Sequence, residues 1–587
     1  MRIIYPVYGL PLENLIMGVL VTRLQILPVL FCFILTVSYA QKEEQKKLPV
    51  QLTGSIGFNY DYYSFYQENY SSFRPRFPEN LLRLNAQMSI NFGKHFSIPI
   101  SVNVTNQEVL YNLPSVPDES PLDYIQNPAN NLSINPKYKW AQGFFGTQTP
   151  QYTPLTTGDI PMFGLGMEIN PGSFILSAAF GTSQRAIEPD ISLNIPGAYE
   201  QSITMARIGV GKLEGSKFTV NVVRVRDHIN SVTIDPIGIE PIEGITVSPY
   251  AEFKLFKKLQ IRTETAGSIF TSDLFNNGTI DEDYVTAVED VITINASSTA
   301  DFAHNSRIDW KGDKFQIGGE VQYIGPGFLP VGYRFVERDI LDYKVNTGMK
   351  LFKDKLNLTG SFGIRTNNLN NTKLSSSERV ISNVNVFAQV TESFSLNVNY
   401  SNFGFNNDAN ILNQRIELIN NSITVSPSYT IKGEKYLHLI SGNVALNSFE
   451  QFDVVSNAFA KAENSTYSLN YNISFLQIPL NIGLQSIYLE NQLPTGDFNM
   501  LNYGLTASYK LLDKKLTPSI GFNYAHVDVP GFTTDNRSNF NLKLGYKLTK
   551  KLQCKLRYRY TNFSYGNSRP GGFLGQNRVQ FSIQQRF

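Results

Sequence analysis

Lys543, Lys547, Lys555, Arg557 and Arg559 fall at odd positions in two successive segments near the C-terminus. Residues of one parity share a face of an extended chain, so in strands these five cations form one basic surface. Such a surface attracts anions. Arg83 and Lys510 add positive charge at the corresponding parity of earlier segments, and Glu168, Glu252, Glu264 and Glu320 supply carboxylates. Opposed basic and acidic walls set a transverse field that orients a polar solute. The same charges can instead pair across neighbouring strands or stay solvated, and parity alone does not choose.

Catalytic chemistry finds little support. His95, His228, His304, His438 and His526 show no metal-ligand spacing, and neither G-x-S-x-G nor a phosphate-cradling glycine loop occurs. Asp281, Glu282, Asp283, Glu289 and Asp290 cluster in one long loop without the central glycine of an EF-hand, so they read as a solvated acidic loop. Cys554 shares parity with Leu552, Leu556 and Tyr558, where a thiol acts as a small apolar residue. The expectation is a non-enzyme with no cofactor and no metal. Lys plus Arg number 51 and Asp plus Glu 49, which gives no sign of a nucleic-acid partner.

The elements that position these residues are strands. Leu82, Leu84, Ala86, Met88, Ile90 and Phe92 alternate with polar residues, as do Phe394, Leu396, Val398 and Tyr400, and Phe540, Leu542, Leu544, Tyr546 and Leu548. Each segment therefore has one apolar and one polar face. Tight polar links recur at 93–95, 170–172, 214–217, 256–258, 311–314, 352–355, 432–435, 512–515 and 548–551, with softer turns near 140–143, 391–393 and 476–478. Between them lie longer stretches rich in Asn, Ser, Asp, Gly and Pro, such as 107–130, 182–200, 270–300 and 448–463. With both termini on the short-turn side, this spacing predicts about 26 strands, within a range of 22 to 26.

A soluble sandwich also alternates faces. Three features favour a transmembrane antiparallel up-and-down β-barrel: segments of bilayer-crossing length, asymmetric connections with short periplasmic turns and long extracellular loops, and a final aromatic residue. The 40 Phe and 31 Tyr, against 2 Trp, suit interfacial girdles. Residues 1–40 read as a secretory signal peptide, with Arg23 before the apolar run Leu24 to Val37 and small residues at Ser38 and Ala40. Residues 41–49 form a short periplasmic segment, and 50–587 the barrel. The mature chain is close to neutral and keeps Cys554 alone, so no disulfide staples it.

The last strand, NRVQFSIQQRF, carries Phe581, Ile583 and Phe587 on its apolar parity. It resembles the signal that barrel-assembly machinery reads in outer-membrane proteins, and implies that partner. Pro136-Lys137-Tyr138-Lys139-Trp140-Ala141, Gly164 and Gly166 before Asn170-Pro171-Gly172, and Gln184-Arg185-Ala186 lie within residues 134–186, which through them resemble a segment shared by large outer-membrane β-barrel proteins of Bacteroidota. The likeness implies a bacterial outer-membrane location, in contact with outer-membrane lipid, and transfers no chemistry.

A barrel of this size is on the order of 50 Å across, wider than side chains fill. About nine residues follow Gln41 before the first strand, too few for a folded plug. Loops or a second protein must therefore occupy the lumen. Residues 144–161, with three prolines, suit an inward loop because they need no ladder partner. Two functions follow. One is a porin-like channel for small polar solutes with its lumen narrowed by loops. The other is a non-conducting platform docking a periplasmic or surface protein in a secretion or surface-assembly complex.

Overall fold

Alternating sequence becomes alternating ladder throughout a computed structural model, which describes residues 50–69, 76–106, 130–191, 195–280, 290–333, 336–372, 376–407, 417–453, 458–493, 496–528, 534–566 and 572–587. The strands are β1 (Val50–Glu68), β2 (Asn80–Phe92), β3 (Phe96–Thr105), β4 (Asn131–Ile134), β5 (Lys137–Tyr138), β6 (Ala141–Gln148), β7 (Met162–Ile169), β8 (Phe174–Gln184) and β9 (Glu200–Gly211). They continue as β10 (Lys217–His228), β11 (Glu243–Leu255), β12 (Leu259–Thr271), β13 (Ser298–Lys311), β14 (Phe315–Ile324), β15 (Ile340–Leu351), β16 (Leu356–Asn367), β17 (Ser377–Gln389) and β18 (Phe394–Asn407). The last third holds β19 (Glu417–Lys432), β20 (Tyr436–Asp453), β21 (Ala458–Phe475), β22 (Leu480–Gln492), β23 (Phe498–Tyr509), β24 (Leu516–Asp528), β25 (Asp535–Lys547), β26 (Leu552–Tyr565) and β27 (Gly572–Arg586).

Each crossing pairs antiparallel with its sequence neighbours, and β1 pairs β27 from Ser55 opposite Arg586 to Glu68 opposite Phe573. The sheet is thus closed, and closure leaves no row of unpaired N–H and C=O groups. β4 and β5 are two halves of one crossing, since both pair with β3 on one side and β6 on the other. Pro136, which lacks an N–H, sits at the break, and its carbonyl accepts from the Gly143 amide at 2.8 Å. The described residues therefore make an all-β antiparallel barrel of 26 crossings, the number the turn spacing predicts. The chain divides into Met1–Gln51 and Leu52–Phe587, and of the first unit only Val50 and Gln51 are described, as the opening of β1. The expected signal peptide and residues 41–49 lie outside the described residues.

Connections at one end are tight. Phe256 and Lys257 both adopt left-handed backbone, with φ of 53° and 58°, and the Lys258 amide donates to the Leu255 carbonyl at 3.1 Å, so the three-residue link 256–258 turns with the twist of its strands. Longer connections lie at the other end. The sequence reading of 448–463 as a loop needs correction: β20 runs to Asp453 and β21 begins at Ala458, so most of that stretch is an extended hairpin. Its Asn, Ser and Glu content signals solvent rather than irregular backbone, because strands that outrun the apolar belt need no apolar face.

The outer face is apolar and uncovered around the barrel, with Leu165, Ile208, Phe218, Ile308, Phe362, Leu469 and Phe522 among its exposed side chains. A continuous apolar skin of this kind is suited to hydrocarbon rather than water. No helix among the described residues is long and apolar enough to cross a membrane, which does not bear on strands. A direct consequence concerns Leu469, 57% exposed on the outer face of β21. Leu469 lies six residues inside the short-turn end of β21, so Leu469→Arg should cost about 2–4 kcal/mol of stability in lipid vesicles. Asn470→Arg, on the inner face beside it, should cost less than about 1 kcal/mol; urea unfolding of the reconstituted protein measures both.

Candidate functional site

The lumen is filled on one side and open on another. Of residues 144–161, the first five complete β6, and 149–161 fold inward over the inner faces of β9 to β13. Thr153, Leu155, Thr156 and Thr157 are all buried. Glu264 of β12 anchors this loop: the Leu155 amide donates to both carboxylate oxygens at 3.3 Å, and Ser248 Oγ donates to Oε1 at 2.6 Å. Arg207 of β9 donates to the Gln151 carbonyl at 3.3 Å and stacks over the Tyr152 ring at 4.3 Å.

A second inward loop, absent from the sequence reading, connects β14 to β15. Its Leu329 amide donates to Ser268 Oγ at 2.9 Å, and Phe328 is fully buried. The two loops meet where Thr157 bridges Gly332 in parallel and the Gly158 amide donates to the Gly332 carbonyl at 3.3 Å. A Cβ at Gly332 would lie 2.0 Å from the Thr156 carbonyl oxygen, so only glycine allows the approach. Tyr333 donates its phenol to the Thr153 carbonyl at 3.1 Å, and burial pushes that phenol up to about 12, so it stays a donor at ordinary pH. Beneath the loops lie two small cores, one built on Ile203, Met205, Val223 and Val331, the other on Leu155, Ala266, Ala303 and Phe328. Apolar residues on the inner parity of β9, β10, β12 and β13 were the available signal that something covers them.

On this side most of the charges pair, while Arg207 is held by Asn221, the Gln151 carbonyl and the Tyr152 ring. Glu252 takes Lys217 at 3.2 Å, Lys254 at 3.5 Å and Gln260 at 2.6 Å. Asp309 takes Arg262 and Arg307, and Arg307 reaches Glu320 at 3.6 Å, where Asn305 also donates at 3.0 Å. Asp342 holds Lys344 and Arg365. Glu252, Glu264 and Glu320 are therefore on the inner wall as parity predicts, but occupied by neighbours. Of the acidic loop, 281–289 lie outside the described residues.

The wall formed by β25, β26, β27, β1, β2 and β3 differs. Lys543 stands directly opposite Arg557 in register, and Arg559 opposite Arg578. Like charges so placed repel. Asp61 of β1 takes Arg578 in a two-pronged contact, with Nε 2.9 Å from Oδ1 and Nη2 on Oδ2, while Gln580 adds a donor at 3.0 Å. Arg559 donates to the Asn541 amide oxygen at 3.0 Å. Among the described residues, no carboxylate lies within ion-pair distance of Arg83, Lys543, Lys555, Arg557 or Arg559. Lys510 follows β23, which ends at Tyr509; it is exposed at the short-turn end, and its amide donates to the Pro479 carbonyl at 3.0 Å. Two adjoining cavities of about 450 and 670 Å³ line this wall and share Asn59, Asn85, Asn103, Lys555 and Ser582.

The seam joins β27 to β1, with Phe581 opposite Tyr60 and Ile583 opposite Phe58, and the Phe587 amide donating to the Gly54 carbonyl at 3.0 Å. Cys554 pairs in register with Tyr546 and Ile583 on the outer parity. The histidines do not converge: His304 contacts Thr265 and Ser306, His438 contacts Tyr471, and His526 contacts Asn536. No group of three potential metal ligands occurs among the described residues.

No protein-family model and no curated protein matches this chain. Among solved structures it is similar to OccAB4 of Acinetobacter baumannii, at 13% identity and a TM-score of 0.28, covering 63% of this chain and 98% of that one. It is similar also to OmpT, an outer membrane protein of Vibrio cholerae, at 10% identity and a TM-score of 0.26, covering 59% of this chain and 98% of that one. BauA, the ferric preacinetobactin receptor of Acinetobacter baumannii, shares 10% identity at a TM-score of 0.36, covering 91% of this chain and 80% of that one.

Proposed function

We propose that this chain is an integral protein of the bacterial outer membrane, of the Bacteroidota kind, that passes small polar solutes along the basic side of its lumen. The observation that carries the reading is the division of the lumen. Two packed loops close one side over mostly paired charge, and the other side keeps cavities beside cations without acidic partners. Long connections face the cell exterior and tight turns the periplasm, with the apolar skin in lipid. The assembly machinery reads Phe581, Ile583 and Phe587. The protein performs no catalysis.

Planar-bilayer recording of the purified full chain tests this. Stable conductance steps with anions preferred over cations are expected, and Lys543→Glu combined with Arg557→Glu should move the reversal potential toward cation preference. Electrical silence, with a protein co-purifying in stoichiometric amount, would contradict the channel and favour a docking platform.

A further inference from the structure

We infer that the wall of β25, β26, β27, β1, β2 and β3 is a binding site for an oligosaccharide carrying several anionic groups. Electrostatics comes first. Lys543 opposite Arg557, and Arg559 opposite Arg578, put like charges in direct cross-strand register, an arrangement that repels. Asp61 engages Arg578 and leaves the other cations of the wall without a carboxylate among the described residues. On the opposite side Glu252, Asp309 and Asp342 each hold two cations, whereas here Asp61 holds Arg578. An anionic ligand satisfies such a surface.

Spacing narrows the ligand. Lys555, Arg557 and Arg559 are alternate residues of one strand, so successive cations stand about 7 Å apart over roughly 14 Å of wall. A single small anion meets one level; a chain of charged units meets all three. Hydroxyl recognition is present as well. Asn59, Asn85, Asn103 and Ser582 line both cavities beside Lys555. Arg83 and Arg557 line the larger cavity beside these amides. Sugar hydroxyls donate to the amide oxygens, while carboxylate or phosphate substituents accept from arginine and lysine.

The site rests on the proposed channel only for how solute reaches it, and equilibrium binding is measured separately. Titration calorimetry on the full chain in detergent, with trigalacturonate as probe and maltotriose as its neutral counterpart, is the test. Trigalacturonate should bind, weaken at least about tenfold in Lys543→Gln with Arg557→Gln, and weaken further at high salt. Maltotriose should bind at least tenfold more weakly than trigalacturonate. Arg557→Lys, which keeps the charge, should retain most of the affinity, and retarded migration before boiling confirms that each variant is folded. Equal binding of both sugars, no binding of trigalacturonate, or a folded double variant of unchanged affinity overturns the site. Wild-type conductance without sugar reports on the channel alone, so either reading can fail while the other stands.

Discussion

Glu264→Ala should raise single-channel conductance and open Thr156 to aqueous reagents. Glu264, 2% exposed, accepts from the Leu155 amide and Ser248 Oγ, and so fastens the first inward loop to β12. Truncation leaves both donors buried without an acceptor, at a cost of about 3 kcal/mol. Set against the packed state of the loop, that amounts to roughly a hundredfold gain in the released population. The second loop loosens in turn, because its contact with the first runs through Thr157 and Gly332. Thr156→Cys, placed at a fully buried position, reports the change by its rate of modification with a membrane-impermeant maleimide. Glu264→Gln keeps an acceptor and should fall between wild type and alanine. Unchanged labelling in Glu264→Ala would mean that the apolar packing around Leu155 and Phe328 holds the loop without the carboxylate.

Asp61→Ala should destabilise the barrel by about 3 kcal/mol, and more than Arg578→Ala does. The two side chains form the ion pair nearest the closing seam, and both are largely buried, at 15% and 22% exposure. Removing the acid leaves Arg578 facing Arg559 across β27 and β26 with no counter-charge. Removing the arginine instead relieves repulsion and leaves Asp61 with Gln580 as donor. The asymmetry separates an electrostatic role from simple loss of contact. Urea unfolding in vesicles measures it, and the double variant should lose less than the sum of the single ones. Equal losses from the two single variants would show that the surrounding cations do not act on Arg578.

Parity reached far in this chain because a barrel repeats one rule. Leu469 outward and Asn470 inward follow from alternation alone, and tight links such as 256–258 fix which ends are short. The crossing count needed nothing more. Parity alone did not choose the ion pairs, because these depend on the register between neighbouring strands. Glu252 lies thirty-five positions from Lys217, and their meeting depends on the register of β10 against β11. The three prolines marked 149–161 as irregular, so its inward course was legible. The β14–β15 loop carries a comparable mark, Pro326 and Pro330 among Gly325, Gly327 and Gly332, which the sequence reading passed over; its seat is written in inner-face residues such as Ala266 and Ala303 that are too apolar to face water.

The most direct test of a closed barrel with a lipid-solvated skin is spin-label accessibility at four cysteine positions. Leu469→Cys and Phe522→Cys point outward, and Asn470→Cys and Asn523→Cys point inward, on β21 and β24. In reconstituted vesicles the first two should favour molecular oxygen and the second two a water-soluble nickel chelate. Reversal of that pattern, or equal water exposure at all four, contradicts the barrel as described.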